Sequence, residues 1–141
     1  MSETWTHRVF TAGEAADMAG LRRGQLDQWI IRQPADLFSQ KRGARRWFSQ
    51  QDIAILAMAR QLERGGKVLL SAIGCACERM QDSPAPDAIF VVDAESVSHR
   101  SGRFIADRDV ARLAVDKSII LIPAGKIVAG IIAACAELRA A

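Results

Sequence analysis

Two prolines fall within three residues, at Pro84 and Pro86, inside the hexapeptide Asp82-Ser83-Pro84-Ala85-Pro86-Asp87. Proline lacks an amide hydrogen and its ring clashes with the preceding turn, so no regular helix runs through this segment. The residue pattern also changes across it. Upstream, apolar residues recur at helical spacing. Downstream, Ile89-Phe90-Val91-Val92 and Ile119-Ile120-Leu121-Ile122 are short β-branched runs bounded by turn residues, which predicts two buried strands. We therefore divide the chain into residues 8–81 and 88–141 and expect an α+β fold.

The first part reads as helix, turn, helix, hairpin and two more helices. Thr11 with Glu14 three residues on is a capping pair, and Gly20 closes the helix it opens. Leu26, Trp29 and Ile30 then share one face of a second helix. Residues 38–48 have hydrophobic ends and a basic centre around Gly43, which predicts a two-stranded hairpin. Ser49 and Asp52 form another capping pair for a helix over 53–62. Gly65 and Gly66 interrupt it before a helix over 68–80. In the second part, Ile127, Val128, Ile131, Ile132, Cys135 and Leu138 predict an amphipathic helix after Pro123. Between the two predicted strands the pattern assigns nothing firmly.

A chain of 141 residues can bury one ordinary core or two small, interdependent ones. Its formal net charge of +3 is too small to imply a polyanionic partner, but the distribution is uneven. Arg22, Arg23, Arg32, Lys41, Arg42, Arg45 and Arg46 face only Asp27 and Asp36 in the same stretch. Cys75, Cys77 and Cys135 do not make a disulfide framework, and a reducing compartment fits them. Charged residues interrupt the opening segment, and the apolar run 127–136 is too short for a bilayer, so the expected location is the cytoplasm.

Helix, glycine turn, helix, basic hairpin and helix is the order of a winged helix-turn-helix. With Leu26, Trp29 and Ile30 held inward, Arg22, Arg23, Gln25 and Gln28 remain on the outer side, where they can reach base edges and phosphates. Lys41, Arg42, Arg45 and Arg46 surround the hairpin tip and would displace condensed counterions. These eight residues are the candidate DNA contacts.

From Val9 to Ile73 the sequence resembles the MerR-like winged helix domains. The likeness lies in Phe10-Thr11-Ala12-Gly13-Glu14-Ala15-Ala16, in Ala19-Gly20-Leu21, in Leu26 with Trp29, and in Arg42-Gly43-Ala44-Arg45-Arg46-Trp47-Phe48 ahead of Ser49 and Asp52-Ile53. The resemblance implies a winged helix-turn-helix in which the second helix and the wing contact double-stranded DNA, with Arg23, Gln25, Gln28, Arg42 and Arg45 as contacts. It stops at the proline segment, where typical members continue as one long dimerisation helix. Asp27 stands where the family often has arginine. An acid there repels phosphate unless it pairs with a neighbouring arginine.

The sequence thus predicts a sequence-specific transcriptional regulator, homodimeric through residues 88–141, with no enzymatic activity, no cofactor and no metal. The amphipathic helix offers either a dimer seam or a face spent within its own module. The competing reading is a phage-type DNA-architectural or packaging protein, such as an excisionase or small terminase subunit. A protein-binding adaptor is a third. Trp29, Trp47 and Phe48 are assigned to packing. Cys75 and Cys77 project about 200° apart on a helix and do not share an ion easily. Gly125-Lys126 lacks the upstream glycine and the following hydroxyl of a phosphate loop. His7 and His99 have no partners at catalytic spacing.

Overall fold

The computed structural model describes residues 3–96 and 100–140, and the fold is α+β. The elements run α1 (Glu3–Thr6), α2 (Ala12–Ala19), α3 (Arg23–Arg32), β1 (Gln40–Arg42), β2 (Arg45–Trp47), α4 (Gln50–Arg64), α5 (Leu69–Arg79), β3 (Ala88–Asp93), β4 (Arg103–Ala106), β5 (Ile119–Ile122) and α6 (Ala124–Ala140). Short 3-10 turns occupy Ala35–Leu37 and Asp107–Arg112.

Both predicted capping boxes form. The Glu14 amide donates to Thr11 Oγ1 at 3.2 Å and the Thr11 amide to Glu14 Oε1 at 2.9 Å. At α4 the Asp52 amide donates to Ser49 Oγ at 3.0 Å and the Ser49 amide to Asp52 Oδ2 at 2.8 Å. Each box satisfies two amides that a helix start leaves without partners. Gly20 ends α2 with φ 77°, a left-handed conformation that permits the tight turn into α3.

Ten of the fifteen residues of α4 are buried, so it is wrapped rather than faced. α1, α2, α5 and α6 all pack against it. α1 has no counterpart in the sequence reading. Its Trp5 is buried, and the indole Nε1 donates to the Gln81 carbonyl at 3.3 Å across 76 residues of chain.

The hairpin pairs Gln40 with Trp47, Lys41 with Arg46 and Arg42 with Arg45, leaving Gly43-Ala44 as a two-residue turn. Gly43 has φ 64°, the requirement at the first central position of a type II′ turn. The strands are shorter than the 38–48 span suggested, because Phe38 follows a 3-10 turn and is buried. The base of the hairpin is tied to the start of the fold by an antiparallel bridge between Phe10 and Phe48.

Beyond the linker, β3 is the centre of an antiparallel sheet ordered β4-β3-β5. The predicted second strand is an edge strand and not a buried one. Only one face of β5 meets the core, so Ile122 is buried while Leu121 is 44% exposed. β4 lies in the stretch left unassigned, paired to β3 from Ala88↔Ala106 to Val91↔Arg103. Phe104 sets its ring edge toward Phe90 at 5.4 Å.

α6 buries Val128, Ile131 and Cys135, and it packs on α4, α2 and β3. The centre of its apolar stripe is therefore occupied within the chain while Leu138 stays 41% exposed, and the buried side chains on the two sides of the linker form one continuous cluster. Gly125 lies where a Cβ would land on the Ala85 and Pro86 carbonyl oxygens, so its lack of a side chain lets α6 close onto the linker. No described helix is long and apolar enough to cross a membrane.

Candidate nucleic-acid interface

Burial of Leu26 and Trp29 fixes the rotation of α3 and turns Arg22, Arg23 and Gln28 to the outside, with Gln25 half-buried. Ile30, expected on the core face, packs against the core but is only half-buried, because it also lines a cleft. The start of α3 is unlike those of α2 and α4. Arg22 occupies the N-cap without a side-chain hydrogen bond, Arg23 follows it, and the first turn contains no acid.

Two clefts flank α3. One, of about 680 Å³, is lined by Arg22, Gln25, Gln28 and Arg32, with Glu63 among its other lining residues. The other, of about 550 Å³, lies between α3 and the hairpin, lined by Arg23, Lys41, Arg45 and Arg46 together with Thr11 and Gly13 at the start of α2. Seven of the eight candidate residues thus divide between the two sides of one helix. Arg32 joins them although only its charge was noted in the sequence. Its place three and four residues after Trp29 and Gln28 was the available signal.

The hairpin cations are of two kinds. Lys41 and Arg45 are exposed and form no ion pair among the described residues. Arg42 lines neither cleft. Its Nη2 donates to the Arg8 carbonyl at 2.6 Å, and its guanidinium lies 5.3 Å from the Trp47 ring centroid. Arg46 donates to Asp36 Oδ1 at 3.1 Å and to Ser39 Oγ at 3.0 Å. These two arginines brace the hairpin and leave Lys41 and Arg45 as its outward charges.

The brace continues inward. Arg8 Nε donates to Asp52 Oδ2 at 2.8 Å and Nη2 to Oδ1 at 3.2 Å, a two-pronged contact with a carboxylate 1% exposed. Accepting these hydrogen bonds, Asp52 raises the pKa of the Arg8 guanidinium above its ordinary value. Asp52 therefore caps α4 and anchors Arg8, whose carbonyl holds Arg42. No sequence pattern links residues 44 apart, so this chain of contacts was not legible.

Asp27 pairs with a neighbouring arginine: Arg23 Nε donates to its Oδ1 at 3.0 Å, with the side chains 59% and 49% exposed. Ile31 is 76% exposed on the outer side of the same helix.

The remaining sequence candidates are elsewhere. Cys75 and Cys135 are buried and Cys77 half-buried. Desolvation pushes the Cys77 and Cys135 thiols up to about 11 and raises Cys75, so at neutral pH all three are protonated side chains of the interior. His7 is exposed, and His99 lies outside the described residues. No family model matches the chain, and no curated protein matches it.

Proposed function

We propose that α2, α3 and the β1–β2 hairpin form a winged helix-turn-helix that binds double-stranded DNA, and that the protein is a sequence-specific transcriptional regulator rather than an enzyme. The observation that carries this reading is the placement of cations and amides on both sides of α3: Arg22, Gln25, Gln28 and Arg32 along one cleft, and Arg23, Lys41 and Arg45 along the other. A helix seated in a major groove runs between two phosphate backbones, so Arg22, Arg32, Lys41 and Arg45 on its flanks meet phosphate while Arg23 and the amides on the helix reach base edges. The start of α3 lacks a cap and an acid, as the start of α5 also does, but it alone of the two carries two arginines, which are unfavourable for the helix by itself and favourable beside an anionic partner. Ile31 suits contact with a thymine methyl.

Gln25 and Gln28 are the direct base readers, Arg22, Arg32, Lys41 and Arg45 bind phosphate, and Arg42 and Arg46 support the wing. The regulator acts as a homodimer through residues 88–141. With the centre of the α6 stripe occupied, the pairing surface is the outer side of that region, where Val115 is 63% and Leu121 44% exposed. Pairing places two such modules on one duplex and raises affinity through effective concentration.

Selection of bound fragments from random duplex DNA, with light scattering on the same sample, tests this. Two half-sites separated by whole helical turns and a dimeric mass are expected. No enrichment would overturn the reading, and a large ring on phased, bent sites would replace it with the packaging one.

A further inference from the structure

The Arg23–Asp27 pair lies exposed on the outer side of α3. It joins residues i and i+4 in the order base then acid, the less favourable one against the helix dipole, and at this exposure such pairs contribute little to folding. Asp27 also places a negative charge on the one helix whose surroundings are cationic, where it repels phosphate. A carboxylate there changes what the Arg23 guanidinium can contact.

The hydrogen bond is made by Arg23 Nε. That leaves the two terminal nitrogens of the guanidinium without a described hydrogen bond, Nη1 lying beside Gly13 at the start of α2. A guanidinium fork matches the O6 and N7 acceptors of guanine in the major groove. Asp27 Oδ1 accepts from Arg23, while Oδ2 makes no described hydrogen bond. A cytosine N4 amino group is the donor a carboxylate accepts from in the groove.

We infer that Arg23 and Asp27 act as a unit that reads one G·C base pair, Arg23 contacting the guanine and Asp27 both positioning Arg23 and accepting from cytosine. This inference rests on the DNA-binding reading above. It assigns Asp27 to discrimination and not to affinity: the carboxylate weakens binding to every sequence, and least to those that present guanine at this position.

Asp27→Ala and Arg23→Lys separate these roles. Binding of the full chain is titrated against its selected site and against the same duplex with this G·C pair replaced by A·T. The wild type is expected to prefer G·C by about tenfold or more, the range of a bidentate contact. In Asp27→Ala the preference falls to near unity while affinity for the A·T duplex rises. In Arg23→Lys the charge remains and the preference is lost. An unchanged thermal midpoint in Asp27→Ala is expected from the exposure of the pair. Salt-dependent binding by the wild type with no position whose G·C preference responds to either substitution would overturn the inference and leave the DNA-binding reading standing. Absence of binding to any duplex would overturn both.

Discussion

The starts of α2 and α4 and the start of α3 are built on opposite rules. α2 and α4 each open with a complete capping box and an acid in the first turn, while α3 opens with Arg22 and Arg23, no side-chain cap and no acid. Caps and first-turn acids stabilise helices, and cations at the same place do the reverse. The first two starts hold the fold together. The third is held by the packing of Leu26 and Trp29 instead, which leaves its opening turn available to an external anion.

That contrast is open to direct attack. The largest expected effect is at Asp52, which caps α4 and pairs with Arg8: Asp52→Ala should lower unfolding stability by about 3 kcal/mol, read as a shift of the denaturant midpoint at unchanged slope. A loss under about 1 kcal/mol would show that the Asp52–Arg8–Arg42 chain does not brace the hairpin. Ile131→Ala, in the buried stripe of α6, should by itself cost about 2–3 kcal/mol by the same measurement, roughly the cost of a cavity in a shared core. If it instead dissociated a dimer without lowering stability, the stripe would be an interface after all.

Thr11→Ala should cost about 1 kcal/mol. Arg22→Ser, which supplies the missing N-cap of α3, should move the other way, gaining about 0.5–1 kcal/mol while weakening duplex binding. Opposite signs for stability and binding are the signature of a helix start arranged for a partner. Loss of both would remove the distinction between the two kinds of start.

A last effect is alkaline. Cys77 and Cys135 have folded pKa values raised to about 11 from an ordinary 9.0, so above pH 9 the unfolded chain releases protons that the folded chain keeps. Their contribution is fully present below pH 9 and is lost as pH rises toward 11. The fall of the unfolding midpoint across that window should be shallower in the Cys77→Ser, Cys135→Ala chain than in the wild type.

What the sequence made legible was local. Thr11 with Glu14, Ser49 with Asp52, Gly43 between basic strands and the run 119–122 each carry their structural consequence within a few residues. The rest depends on distant partners. α1 exists because Trp5 finds a buried place and Gln81, and β4 because Phe104 and its neighbours pair with β3. Neither run is long or periodic enough to announce itself. The same limit applies to the candidate interface. Eight residues were nominated by type and position, yet Arg42 and Arg46 are drawn into bracing by Arg8, Trp47, Asp36 and Ser39, and Arg32 was passed over as background charge.

Anisotropy titration of a labelled mixed-sequence duplex at several salt concentrations, with the wild type and with Lys41→Ala, Arg45→Ala, tests the central claim most directly. Binding that weakens linearly in log–log coordinates is expected, with a slope smaller by roughly two units in the variant, about one for each lost phosphate contact. Identical affinity and slope for the two proteins would contradict the account.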